Sequence, residues 1–161
     1  MLSGSNCDAV QFGGPTLRVL EARRIANDAV LRQLGPNIIS DDFSVGAAVA
    51  ALRRAERTLG LGEALLDQHL ISGIGNIFKS EGCFAAGISP WHWIGELEDD
   101  ELAHVIRKTQ ELMRVAADSG RQPRQVYRRA GQPCPRCGTA LRSRGQGDAN
   151  RTTYWCPGCQ S

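Results

Sequence analysis

Four of the six cysteines in this 161-residue chain form two short pairs, C-P-R-C at 134–137 and C-P-G-C at 156–159, with 18 residues between them. Two such knuckles can set four thiolates tetrahedrally around Zn²⁺, and the proline and glycine inside them suit the tight turns that aim sulfur inward. Cys134, Cys137, Cys156 and Cys159 are therefore candidate ligands of one structural zinc ion. A pair of disulfides is the alternative, disfavoured in a reducing compartment. A redox dithiol is a weaker one, because neither pair stands between a strand and a helix. Cys7 and Cys83 are solitary and read as buried or tolerated thiols. His69, His92 and His104 have no metal-ligand spacing and read as surface or packing residues.

A second constellation is S-G-I-G-N-I-F-K at 72–79. Gly73 and Gly75 permit backbone angles with φ > 0, and Asn76 suits the N-cap of a following helix. Such a corner leaves helix-end amides pointing outward, where they attract a phosphate; the Asn76 side chain can donate beside them and Lys79 adds charge one turn on. The plain alternative is a tight connection between helices that binds nothing. The third constellation is basic. Residues 1–120 carry 11 basic and 16 acidic side chains, net −5, whereas residues 121–161 carry 8 arginines and one acid, Asp148, net +7. Arg142, Arg144 and Arg151 crowd a small loop region preceded by R-Q-P-R-Q-V-Y-R-R, a pattern that fits phosphate contacts. A solvated hairpin or a protein-contact ribbon would share it.

These groups need elements to hold them. Residues 140–144 and 152–155 have strand character around G-Q-G-D-A-N, so the C-terminal module reads as a β-hairpin held at its base by metal. The segments 8–12 and 16–20 read as strands around G-G-P, and a lone hairpin of this kind wants a sheet to join. Helices are expected over 21–34, stopped by Gly35-Pro36; after Ser44, with Val45, Ala48, Val49, Leu52, Ala55 and Leu59 on one face; over 63–70; over 76–86; and from the Glu98, Asp99, Asp100, Glu101 cluster to Gly120. Trp91 and Trp93 are expected to close the helical core. No apolar run approaches the roughly 18 residues of a membrane span, and the first residues lack a signal-peptide pattern.

The stretch L-L-D-Q-H-L-I-S-G-I-G-N-I-F-K-S-E-G-C-F-A-A-G-I-S-P resembles the helix-two-turn-helix element of the formamidopyrimidine-DNA glycosylase and endonuclease VIII family. N-R-T-T-Y-W-C-P-G-C-Q resembles that family's C-terminal zinc finger, and its Tyr-Trp leans towards the endonuclease VIII branch. The resemblance runs from about residue 8 to residue 160 and includes Leu34-Gly35-Pro36. It implies that Asn76 and Arg151 match the asparagine and arginine that hold DNA phosphates around an extruded nucleotide, and that the four paired cysteines match the zinc ligands. Family enzymes begin with a β-sandwich whose terminal proline attacks the sugar C1′, with a glutamate as acid and base. Leu2 and Ser3 stand here instead, so the resemblance implies a chain read without the sandwich and its phosphate-binding lysine.

The expected fold is mainly α: a helix-two-turn-helix domain followed by a small zinc-bound β-hairpin, with a short leftover β segment at the N-terminus. The expected divisions are residual strands of a β-sandwich at 1–20, the helical domain at 21–120 and the zinc finger at 121–161. The implied function is the DNA-binding portion of a base-excision-repair glycosylase and AP lyase, gripping damaged or abasic duplex through Gly75, Asn76, Lys79 and Arg151. It is expected to be inactive without the proline domain, whether the shortening is natural or not. A monomer is expected, in the bacterial cytoplasm at the nucleoid, without membrane contact and with the β-sandwich domain as a conceivable partner. Two alternatives stand beside it: a residual lyase using another amine, Lys79 or the α-amino group of Met1, and a zinc-ribbon protein-interaction module.

Overall fold

The computed structural model describes residues 2–3, 8–9, 21–25 and 27–160. The chain divides into two compact units, 1–33 and 34–161. In the first unit, β1 (Leu2–Ser3) pairs antiparallel with β2 (Asp8–Ala9), matching Leu2 to Ala9. The partner strand expected at 16–20 lies outside the described residues. The helix expected over 21–34 is not continuous: α1 (Ala22–Ile25) is followed by a short 3-10 turn at Leu31–Gln33. Asp28 is the reason, since its carboxylate accepts from the amides of Val30 and Leu31 and so diverts them from an α-helical ladder.

The second unit is built around two packed helices. The helix α2 (Val45–Arg54) starts at Ser44, whose hydroxyl accepts from Ala47 N at 3.3 Å, and buries Ala48, Val49, Ala51 and Leu52. It ends at Arg54, short of Leu59. The expected helix over 63–70 shrinks to one turn, α3 (Leu61–Ala64), followed by turns that lead into the corner. Next come α4 (Asn76–Ala86) and α5 (Asp99–Ser119). A reciprocal capping box opens α5, with Glu98 and Glu101 each accepting from the other's end of the turn, and Gly120 closes it in a left-handed conformation. Helix α4 crosses α5 so closely that Gly82 faces Thr109, and a Cβ there would run into the threonine hydroxyl.

Ile38, Leu52, Leu61, Leu65, Ile71, Ile74, Leu102 and Ile106 form the sealed centre of the core. Strands β3 (Arg142–Gln146) and β4 (Arg151–Trp155) pair antiparallel with Arg142 opposite Trp155 and Gln146 opposite Arg151. This hairpin lies along α4 and shares a second apolar cluster with it, containing Phe84, Val126 and Leu141. The tryptophans behave differently from expectation. Trp91 packs edge-on against Trp155 of the hairpin, under the Arg144 guanidinium at 3.9 Å, while Trp93 is 52% exposed. No helix among the described residues is long and apolar enough to cross a membrane.

Candidate nucleic-acid interface and metal centre

The corner before α4 is braced from two sides. Segment 35–38 runs beside 68–72, with Gly35 N donating to Gln68 O at 2.8 Å and Ile38 N to Ser72 O at 3.1 Å. A Cβ on Gly35 would stand 2.5 Å from Leu70 O, so the two backbones can approach only with glycine there. Gln68 then fixes the turn itself: its Oε1 accepts from Gly73 N at 2.8 Å and its Nε2 donates to Ile74 O at 3.0 Å. Gly73 sits at φ 97°, which a side chain would strain.

Gly75 corrects one expectation. It has φ −100° and ψ 172°, an extended conformation open to any residue, and it is itself the N-cap, leaving Asn76 as the first helical residue. Among the described residues no side chain caps the helix, and a Cβ on Gly75 would meet no atom within 4 Å. Nothing among the described residues therefore requires glycine at this position. It keeps the helix end bare, with the amides of the first turn facing outward.

The Asn76 amide is oriented by the hairpin: Nδ2 donates to Thr152 O at 2.9 Å, which leaves its second proton free. Asn76 and Arg151 line the same notch of about 450 Å³, together with Tyr127, Arg128, Asn150 and Thr152. Gly75 opens instead onto a neighbouring cavity of about 740 Å³, whose wall Arg151 shares.

Lys79 lies elsewhere than expected. Its side chain is 0% exposed and its ammonium donates to Thr153 Oγ1, beneath the hairpin rather than at the surface. Helical geometry accounts for this, because position 79 faces the strand that α4 carries. Thr153 passes the link on to Gln146 Oε1 at 2.7 Å, and Gln146 Nε2 donates to Pro90 O at 2.8 Å. Burial lowers the Lys79 pKa to about 8; Cys83 and Glu63 oppose the shift and Arg151 adds to it. Cys83, one turn on, is fully buried, and that burial pushes its thiol up to about 12.

Sequence reasoning missed the residue that ties the linker down. Glu81 is buried on α4, and its carboxylate accepts from the amides of Gln125, Val126 and Tyr127 at 3.0, 2.9 and 2.8 Å. The available signal was an acid set among Gly82, Cys83 and Phe84 on a face otherwise built for packing. Arg136 works at the other end of α4, donating to Phe84 O at 2.8 Å and lying 4.2 Å over the Phe84 ring.

The four paired cysteines meet at the base of the hairpin, with every Sγ within 4.8 Å of the others. Cys134 Sγ to Cys159 Sγ is 3.8 Å and Cys137 Sγ to Cys156 Sγ is 3.5 Å. A tetrahedron with zinc–sulfur bonds of about 2.3 Å has edges of about 3.8 Å, whereas a disulfide needs about 2.05 Å, so the arrangement fits one zinc ion and excludes disulfides between these pairs. Bound zinc would act as a cross-link, holding strand β4 and with it Arg151 in place.

Residues 34–127 match the formamidopyrimidine-DNA glycosylase H2TH domain and residues 131–161 match the zinc finger found in FPG and IleRS. The chain is 40% identical to the probable endonuclease 8 2 of Streptomyces coelicolor, an alignment covering 100% of this chain and 61% of that protein. It is 36% identical to the DNA-(apurinic or apyrimidinic site) lyase Nei2 of Mycolicibacterium smegmatis, covering 92% of this chain and 61% of that one. Lactococcus lactis Fpg, solved in complex with abasic-site DNA, superposes with a TM-score of 0.76 at 25% identity over 88% of this chain and 56% of its own. The chain thus spans about three fifths of the length of these curated relatives. It belongs to the formamidopyrimidine-DNA glycosylase and endonuclease VIII family of DNA-repair proteins, of which it carries the helix-two-turn-helix domain and the C-terminal zinc finger.

Proposed function

We propose that this chain grips damaged or abasic duplex DNA through its sugar-phosphate backbone. The observation that carries this reading is the convergence of Asn76, at the bare start of α4, and Arg151, at the start of the zinc-fixed strand, on one notch. The helix end offers oriented amides and partial positive charge, Asn76 offers a neutral donor, and Arg151 offers a charged one with geometry suited to phosphate. Gly75 lets the strand approach those amides closely. Lys79 contributes from beneath, by pinning Thr153 two residues from Arg151 and by its buried charge. Phosphate contacts of this type can hold a kinked strand while a nucleotide leaves the stack, a step that costs a few kcal/mol.

As the 161-residue chain, it holds DNA without cleaving it. Support comes from Lys79, whose amine is sealed against Thr153 and out of reach of a sugar C1′. Binding of an abasic-site duplex, followed across a salt series, tests the grip. Affinity is expected to fall steeply with salt, and Arg151→Ala to weaken it by about 1–3 kcal/mol. Binding indifferent to salt would sink the reading and favour a protein-contact ribbon. Borohydride treatment of the complex is expected to leave no covalent adduct; an adduct would reveal a reactive amine.

A further inference from the structure

Among the described residues, two that are not glycine have left-handed backbone, Arg128 at φ 59° and Asn150 at φ 47°. Both line the notch that holds Asn76 and Arg151. Asparagine takes this conformation readily, but an arginine does so rarely, because its Cβ crowds the neighbouring carbonyl. Strain of this kind persists only where the surroundings dictate it.

Here the surroundings do. The three residues before Arg128 have their amides captured by the buried Glu81 carboxylate, and the Tyr127 ring is set edge-on against Tyr154 with centroids 5.1 Å apart. Arg129 N donates back to Val126 O at 3.1 Å, closing the turn around Arg128. The turn delivers an exposed arginine to the notch, 5.7 Å from the Tyr127 ring centroid. Two guanidiniums, from Arg128 and Arg151, thus border a notch that no carboxylate lines, and neither has an ion-pair partner among the described residues. The acids near Arg151, namely Glu63, Asp67 and Asp148, line the neighbouring cavity instead, and two like charges without an ion-pair contact at one recess are an arrangement that an anion would relieve.

We propose that Arg128 is a further phosphodiester ligand, clamping from the linker side the strand that Asn76 and Arg151 hold. The assignment rests on the reading that this notch receives DNA. It gives a function to the strained turn: a glycine would relax the backbone there but bring no charge.

Two variants of the zinc-loaded 161-residue chain test it, Arg128→Gly and Arg128→Gln, each titrated with a duplex bearing a tetrahydrofuran abasic-site analogue at several salt concentrations. Both are expected to lose roughly 3- to 30-fold in affinity at low salt, and the slope of log K against log salt to become shallower by about 0.9. Arg128→Gly is expected to melt at the same temperature as the parent chain or higher, since it removes left-handed strain, so the lost affinity cannot be lost folding. If both variants bind with parental affinity and slope while Arg151→Ala still weakens binding, the assignment of Arg128 is overturned and the notch reading stands. If the parent chain shows no salt-dependent binding, the notch reading fails and the assignment falls with it.

Discussion

Lys79 and Glu81 sit two residues apart on α4, both are buried, and each controls a different part of the interface. Lys79 is held to a pKa of about 8, chiefly by burial, against an ordinary 10.5. Below about pH 8 both folded and unfolded chains keep the proton and the burial penalty is fully present. Between about pH 8 and 10.5 the unfolded chain binds more protons, so stability rises with pH through that window, by up to about 3 kcal/mol from this group. Urea unfolding of the parent chain and Lys79→Met, compared from about pH 8 to 10.5, is expected to show the parent gaining stability relative to the variant as pH rises, while the buried Cys83 thiol pulls both curves down above about pH 9; parallel curves would refute it. Glu81 presents a simpler case, since its carboxylate is the acceptor for three linker amides. Glu81→Ala leaves those donors without a partner and is expected to cost about 3 kcal/mol or more, read from the urea midpoint. Glu81→Gln, which keeps one acceptor oxygen, should cost less.

The corner before α4 shows how two similar glycines answer to different demands. Gly73 is required by the fold, at φ 97° with Asn37 Oδ1 3.3 Å from where a Cβ would be, and Gly73→Ala is expected to destabilise by about 1–2 kcal/mol. Gly75 is extended and faces open space. Gly75→Ala is therefore expected to leave stability within about 0.5 kcal/mol while weakening DNA binding, because the methyl group would fill open space beside the helix start that an approaching strand would use. Thermal melts and DNA titrations of the two variants separate the roles, and a Gly75→Ala protein that bound normally would show that no ligand approaches there. The sequence shows both glycines but not this difference, since which one takes φ > 0 is decided by the Gln68 brace, a long-range feature with no local signature. The span of α4, the capping cluster of α5 and the cysteine knuckles were legible because short-range patterns specify them. Helices over 21–34 and 63–70 were over-read: Asp28 captures two amides in the first, and the second turns aside after Ala64 to reach the corner.

At the scale of the whole 34–161 unit, the finger is fastened along the full length of α4. Asn76, Lys79, Ser80 and Glu81 hold its strand and linker, Arg136 caps the helix C-terminus, and Gln160 bridges Cys156 N and Ile88 O at 2.8 and 3.0 Å. Composition alone suggested two separate modules, an acidic helical part and a basic finger, because charge says nothing about which buried side chains cross between them. The contacts make a specific prediction about metal. If the finger were an appendage, removing zinc would unfold 121–161 and leave the helical part melting as before. Because α4 spends both ends and one face on the finger, losing zinc should instead strip hydrogen bonds from Lys79, Glu81 and the helix C-terminus together. Binding of zinc to four thiolates is worth many kcal/mol in small domains, and its loss is expected to lower the melting temperature of the whole unit by more than about 10 °C in one cooperative transition. Calorimetry with and without a chelator, alongside the helical circular-dichroism signal, distinguishes the cases. A main transition that stays in place after zinc removal would mean that the finger is independent, and that Arg151 is positioned by metal alone rather than by metal and helix together.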